Sequence, residues 1–259
     1  MTMATIFPGE VRARSDDRFF MASALAMAAV VVAGFGLQFA MGRSSFAAPP
    51  LVHLHAIVFM GWVAIYVAQH WLAATGHVEG HKTLGWVAAV WAIAMVVLGI
   101  LVTVMMVRRG GAPFFFQPAY FLVMNPASIL TFAALTGAAI VNRRRTAWHK
   151  RLHFCGMAVL LGPAIGRLLP MPLLIPHADE WVFAVLILFP IAGMLADRRR
   201  SGRVHRAWFY GLGTIAAMQA AINLVTFGPA GAALYGAVTA GSPGAVVDPY
   251  AFPLPPPMG

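Results

Sequence analysis

The sequence predicts an all-α membrane protein: a bundle of about seven transmembrane helices with its N-terminus in the cytoplasm. Three observations predict it. The 259-residue chain is 60% hydrophobic and 10% charged, with a mean hydropathy of +0.78, whereas about a quarter of the residues of a soluble domain are charged. Its apolar residues fall into seven runs, most close to the roughly 20 residues needed to cross a hydrocarbon core of about 30 Å. Finally, its Lys and Arg residues gather in alternate connections between those runs.

The runs are 19–41, 50–75, 84–107, 115–141, 152–175, 180–196 and 207–227, separated by charge, Gly and Pro. The first has no small-residue cleavage site after it, so it reads as a retained span and not a signal peptide. The sixth is the shortest. After the seventh, "PAGAALYGAVTA" is too short to span, and the chain closes on the Pro-rich "FPLPPPMG". The expected organisation is a cytoplasmic segment 1–18, a transmembrane domain 19–227, and a non-cytoplasmic surface segment 228–259 with an irregular tail.

Orientation follows from the short connections. Fourteen basic residues lie on one side: Arg12, Arg14, Arg18, Lys82, Arg143, Arg144, Arg145, Lys150, Arg151, Arg198, Arg199, Arg200, Arg203 and Arg206. Three lie on the other (Arg43, Arg108 and Arg109), and Arg167 falls within the fifth run. The clusters "NRRRTAWHKR" and "DRRRSGRVHR" therefore read as topology signals that meet anionic lipid, and the net charge of +10 does not imply nucleic acid. The expected setting is the lipid bilayer of a cell inner membrane. Cys155 is the single cysteine, so no intramolecular disulfide can form.

Three helix starts look alike: "GHKTLGW", "WHKRLHF" and "VHRAWFY". In each, a histidine precedes a basic residue that anchors the helix in the headgroups, and aromatic residues take the interfacial belt. The positive end of a helix dipole disfavours imidazolium, which biases His81, His149 and His205 toward the neutral, metal-binding form. "HKTLGW" and "HKRL" resemble a group of bacterial multi-pass membrane proteins with His-(Lys/Arg)-x-Leu-Gly helix starts. The resemblance covers roughly 51–210 and implies the topology; the group has no established activity to carry over.

Six of the nine histidines (His70, His77, His81, His149, His153 and His205) belong to the expected cytoplasmic end. His149 and His153 are four apart and share a helix face, a usable spacing for a transition metal. Gly76 and Gly80 suggest instead that His77 and His81 lie in a loop. Membrane oxygenases and desaturases also gather histidines at this surface, but in boxes with adjacent His-His pairs, and this chain has none. One metal held by His81, His149 and His205 requires those three rings to approach a common point. A b-type haem requires histidines facing across the bundle, with His70 and His153 as an inner pair or His55 and His177 as an outer one.

Arg167 is the only charge well inside an apolar run, a position that is costly and marks a candidate site. With His55 at comparable depth, it would contact an anion, a quinone or a haem propionate, or else snorkel to the outer headgroups. Gln219 and Asn223 share a face of the seventh run and are expected to hydrogen-bond across the bundle. No P-loop, nucleophile elbow, HExxH or CxxC is present. Lys82 and Lys150, the only lysines, lie in connections, which excludes a retinal Schiff base. Two classes remain. One is a membrane redox or metal protein whose cofactor contacts are His55, His70, His153 and Arg167 and whose metal ligands are His81, His149 and His205, working with a quinone or another electron-transfer partner. The other is a non-catalytic transporter-like or accessory subunit with structural histidines. The sequence assigns neither an enzymatic reaction nor a number of copies.

Overall fold

The computed structural model describes residues 8–43 and 47–254, with side chains from residue 16 onward. The side chains of Arg12 and Arg14, counted above for orientation, and the last five residues of the Pro-rich tail lie outside the described residues. Every regular element among the described residues is helical.

Six helices are long and apolar enough to cross a membrane: α1 (Pro8–Ala40), α2 (Pro50–Ala74), α3 (Val78–Arg108), α4 (Pro118–Val141), α7 (Ala178–Ser201) and α8 (Arg206–Phe227). Between α4 and α7 the fifth apolar run is broken into α5 (Thr146–Val159) and α6 (Gly162–Leu168). Proline explains the break. Pro163 has no N–H to donate to the carbonyl of Val159, and its ring crowds that carbonyl. The chain crosses the gap by a tighter turn, in which the Leu160 and Leu161 amides reach back three residues to Met157 and Ala158, both at 3.1 Å. The sixth run, the shortest in the sequence, is extended at both ends into the 24-residue α7.

Two helices begin earlier than hydropathy suggests. Gly76, at φ +78, supplies the left-handed residue that lets a short turn close α2, so α3 begins at Val78 and His81 is helical rather than in a loop. Similarly, α5 starts at Thr146, directly after the basic run. The surface segment after 228 has a helix of its own before the Pro-rich end. It forms α9 (Pro229–Thr239), whose last carbonyls accept from Arg108 (Nη1 to Val238 O 2.7 Å). Beyond it, the Ala119 amide donates to Pro249 O at 2.9 Å, and Tyr250 Oη donates to Thr226 O at 2.9 Å.

α5 is the central helix. Eight of its fourteen residues are buried, among them Leu152, Phe154, Cys155 and Met157, and it packs against α1, α4, α7 and α8. Its polar first half is accommodated in the interior by partners, Arg151 pairing with Asp197 of α7 and Lys150 with Asp17 of α1. Small residues set the close approaches: a Cβ added at Gly34 would fall 2.6 Å from the Ala164 carbonyl oxygen, where α1 meets α6. Gln219 Nε2 bridges α8 to Tyr120 Oη of α4 at 2.9 Å and reaches Asn223 at 3.4 Å. Helix alternation brings the start of α1, the α2–α3 and α4–α5 turns, and the α7–α8 turn to one end of the bundle, which carries most of the cations and is here called the basic end.

Candidate functional site

A cavity of about 870 Å³ opens between α1, α2, α3, α4 and α5 at the basic end. Four histidines line it: His70 on α2, His81 on α3, and His149 and His153 on α5. Helix registry brings them together. At 1.5 Å per residue, His70, His81 and His149 each lie about 5 Å in from the basic ends of their helices, and His153 about one turn deeper. The rings of His81 and His149 are 6.1 Å apart between centroids, and those of His149 and His153 4.7 Å, both pairs edge-on.

Hydrogen bonding fixes three of the tautomers. His70 Nδ1 lies 2.8 Å from Tyr66 O, His149 Nδ1 2.9 Å from Ala139 O, and His81 Nδ1 3.3 Å from Gln69 O. A carbonyl only accepts, so each Nδ1 carries the proton and, in the neutral ring, each Nε2 keeps its lone pair. Such backbone anchoring is how ligating histidines are held in one orientation. The bonds from His81 to α2 and from His149 to α4 also tie neighbouring helices together.

The cavity is graded along its depth. Lys82, Arg143, Arg144 and Lys150 stand at the mouth, where Lys82 pairs with Glu79 at 2.7 Å and Lys150 with Asp17. Phe20, Ile65, Trp86 and Ala88 give apolar walls. Deeper lie Trp62, Tyr66, Gln69 and Thr136, and one polar atom of each (Nε1, Oη, Oε1 and Oγ1) is buried without a hydrogen-bond partner. Hydropathy could not flag this group, because three of the four residue types are common as apolar wall or helix glue.

The structure regroups the residues expected to act together. His70 and His153 do share a cavity. His55 does not reach it: it lies fifteen residues before His70, about 22 Å along α2, with its ring stacked on Phe59 at 4.0 Å. Arg167 is also at the far end. Its guanidinium covers Phe35 of α1 at 4.2 Å and its Nη1 donates to Pro163 O at 2.8 Å, whereas the cavity meets α1 at Asp17 and Phe20. Arg167 therefore cannot serve as an anion contact for a ligand held by His70 and His153. His177 is exposed beside Glu180. His77 is the residue before α3; its ring makes no bond to the helix start and instead bonds Thr75 Oγ1 at 2.8 Å.

His205 is the clearest correction. It does not converge with His81 and His149 but lies on the other side of α5, edge-on to Trp148 at 5.6 Å. Its Nδ1 accepts from the Ala207 amide at 3.1 Å and so caps α8. Burial, and next the Arg151 guanidinium, hold its imidazole below the usual histidine range. Among the described residues, no three His, Cys, Asp or Glu side chains are placed to hold one metal ion. The similarity of the three helix starts reflects an interfacial demand common to helix ends, which does not fix the direction each side chain takes.

An ion cluster with no counterpart in the sequence reading surrounds His205. Asp197 of α7, 2% exposed, accepts from Arg151 (Nε 2.8 Å, Nη2 2.6 Å), Trp208 Nε1 (2.8 Å), Arg200 Nη2 (3.2 Å) and the His205 amide (3.3 Å). Asp16 adds contacts to Arg200 at 3.3 Å and Arg151 at 3.7 Å. This network joins α1, α5, α7 and α8. Its signal in the sequence is the single acid at the edge of "DRRRSGR", which the basic run beside it masks.

The fold and cavity define a helical, multi-pass membrane protein with an imidazole-lined pocket at its basic end. Compared with known proteins, the chain matches no family model, no curated protein and no solved structure, so the chemistry of the pocket rests on its own side chains.

Proposed function

We propose that the protein is a seven-crossing inner-membrane redox protein, with its N-terminus and basic end in the cytoplasm, that holds a b-type haem among the imidazoles of this cavity. The observation that carries the reading is the fixed tautomer of His70, His81 and His149, which leaves three Nε2 lone pairs on residues lining one aromatic-walled pocket. The broken α5–α6 pair supplies the seventh crossing. The excess of Lys and Arg at the basic end supports its cytoplasmic orientation.

The donor set fits haem better than a bare ion. A bare ion asks for three or four protein ligands, and no such set is in place among the described residues. Haem brings four nitrogens of its own and asks the protein for one or two axial ligands. His81 and His149, whose ring centroids are 6.1 Å apart, are the two imidazoles that would hold the iron. Haem would supply one-electron chemistry here. The chain's own part is to hold the ring orientations through Tyr66 O, Gln69 O and Ala139 O, to exclude water with Phe20, Trp62 and Trp86, and to meet carboxylates with the cations at the mouth.

Protein purified from haem-sufficient cells should show a Soret band that disappears in His149→Ala and persists in His55→Ala. A colourless protein that also fails to take up added haem would overturn the reading. One observation favours the second class, a transporter-like or accessory subunit: the Nδ1–H bonds of His81 and His149 run between helices and serve as staples. In that case His149→Ala lowers thermal stability and no chromophore is found in any variant.

A further inference from the structure

We infer that the deep wall of the cavity is a binding site for the uncharged head group of a lipid-soluble ligand that offers carbonyl acceptors, of the quinone class. Three hydrogen-bond donors carry the inference: Trp62 Nε1, Tyr66 Oη and Thr136 Oγ1, on residues that are 3%, 4% and 3% exposed and whose donors have no partner. Leaving a buried polar group unpaired costs about 1–3 kcal/mol, so such groups in native proteins are met by water or a ligand.

The same residue types elsewhere in the chain show that this is unusual. The indoles of Trp91 and Trp208 donate to Val58 O at 2.7 Å and to Asp197 at 2.8 Å. Thr103, Thr214 and Thr239 each donate to the carbonyl four residues earlier. Thr136 makes no such bond; Thr226, the other buried threonine whose hydroxyl lacks a partner, is not among the residues that line the cavity. Trp62 and Tyr66 are four apart and share a face of α2, with Thr136 supplied by α4, and all three line the cavity.

The chemistry of the occupant follows from the surroundings. Three donors call for an acceptor oxygen. Its neutrality follows from depth: every cation lining the cavity belongs to the mouth, while Tyr66 and Trp62 lie roughly 12 and 18 Å from the basic end of α2. The volume of about 870 Å³ is on the scale of a small-molecule site, and its walls are too apolar to favour a pool of water. A quinone ring meets these demands, since its carbonyls accept, its face stacks on aromatics, and its tail remains in lipid. The inference goes beyond the haem reading and rests on hydrogen-bond donors rather than on the imidazoles.

The test is equilibrium binding of decylubiquinone to the full-length protein in lipid nanodiscs, with decylbenzene as the probe that lacks acceptors. Saturable decylubiquinone binding is expected, weakened about five- to tenfold by Tyr66→Phe and by Thr136→Val, the loss of about one hydrogen bond each. Trp62→Phe serves if either variant misfolds. The Soret absorbance of the same sample separates the two readings: saturable decylubiquinone binding without a Soret band sinks the haem reading alone, and a Soret band without saturable binding sinks this one alone. Absence of saturable binding, equal binding of decylbenzene, or unchanged affinity in the variants means the donors are met by internal water, and each of these results overturns the proposal.

Discussion

Replacing Asp197 by alanine removes one carboxylate that accepts five donors and leaves the Arg151 guanidinium, on a residue 5% exposed, without its main counter-charge. Breaking a buried pair from one side typically costs 3–5 kcal/mol. Two contacts moderate the loss: Arg151 Nη1 still donates to Ala147 O at 3.0 Å, and Asp16 stands 3.7 Å from Nη2. We therefore expect about 3 kcal/mol. The assay is unfolding of detergent-solubilised protein by titration with a denaturing detergent, followed by helical circular dichroism. A second arm separates an unpaired charge from lost packing. In Arg151→Met/Asp197→Leu both charges are replaced by apolar groups of similar size, and stability should recover in part, the Trp208 indole still lacking the acceptor that Asp197 gave it. If Asp197→Ala alone stays within about 0.5 kcal/mol of native, or if the double variant is no better than the single, the reasoning fails.

Two further predictions concern packing and pH. A Cβ built at Gly193 falls inside the Trp208 indole, so Gly193→Ala should cost about 1–3 kcal/mol in the same titration. Gly213→Ala, with nothing within 4 Å of the added carbon, should be neutral or slightly stabilising. His205 caps α8 only while Nδ1 is unprotonated. The fold keeps the ring neutral to lower pH than the unfolded chain, whose imidazole titrates near 6.5. The unfolded state therefore takes up the extra proton first. The resulting stabilisation is complete above that value and lost as pH falls through the depressed folded-state range. Melting temperature should drop as pH falls below about 6.5, and the drop should be smaller in His205→Asn, which caps without titrating. An unchanged slope would show that a group other than His205 governs the acid response.

The membrane character of this chain was readable because hydropathy and charge are local properties: each apolar run, and each Lys or Arg between runs, contributes independently of what packs beside it. Helix ends were less readable. Gly76 and the basic run 143–145 end one helix and permit the next within a few residues, so α3 and α5 start deeper in the connections than hydropathy marks. Pro163 broke a helix while Pro126 and Pro190 did not; the sequence context "LLGPAIG" supplies the extra freedom but does not predict the outcome.

The histidines show where sequence reading stops. Their number and their bias toward one end are sequence facts, and the pairing of His70 with His153 followed from depth along each helix. Rotation about each helix axis decides which rings share a cavity, and packing against α5 sets it. Packing turns His149 and His153 toward α2 and α3, and leaves His205 against Trp148 and the Asp197 network. By itself the sequence determined that the chain forms apolar helices with one strongly basic end, because burial in lipid and attraction to headgroups act residue by residue. The tertiary structure alone decided that Trp62, Tyr66 and Thr136 are left without partners beside four imidazoles. A cavity is made by side chains distant in sequence, and its walls have no common local signal.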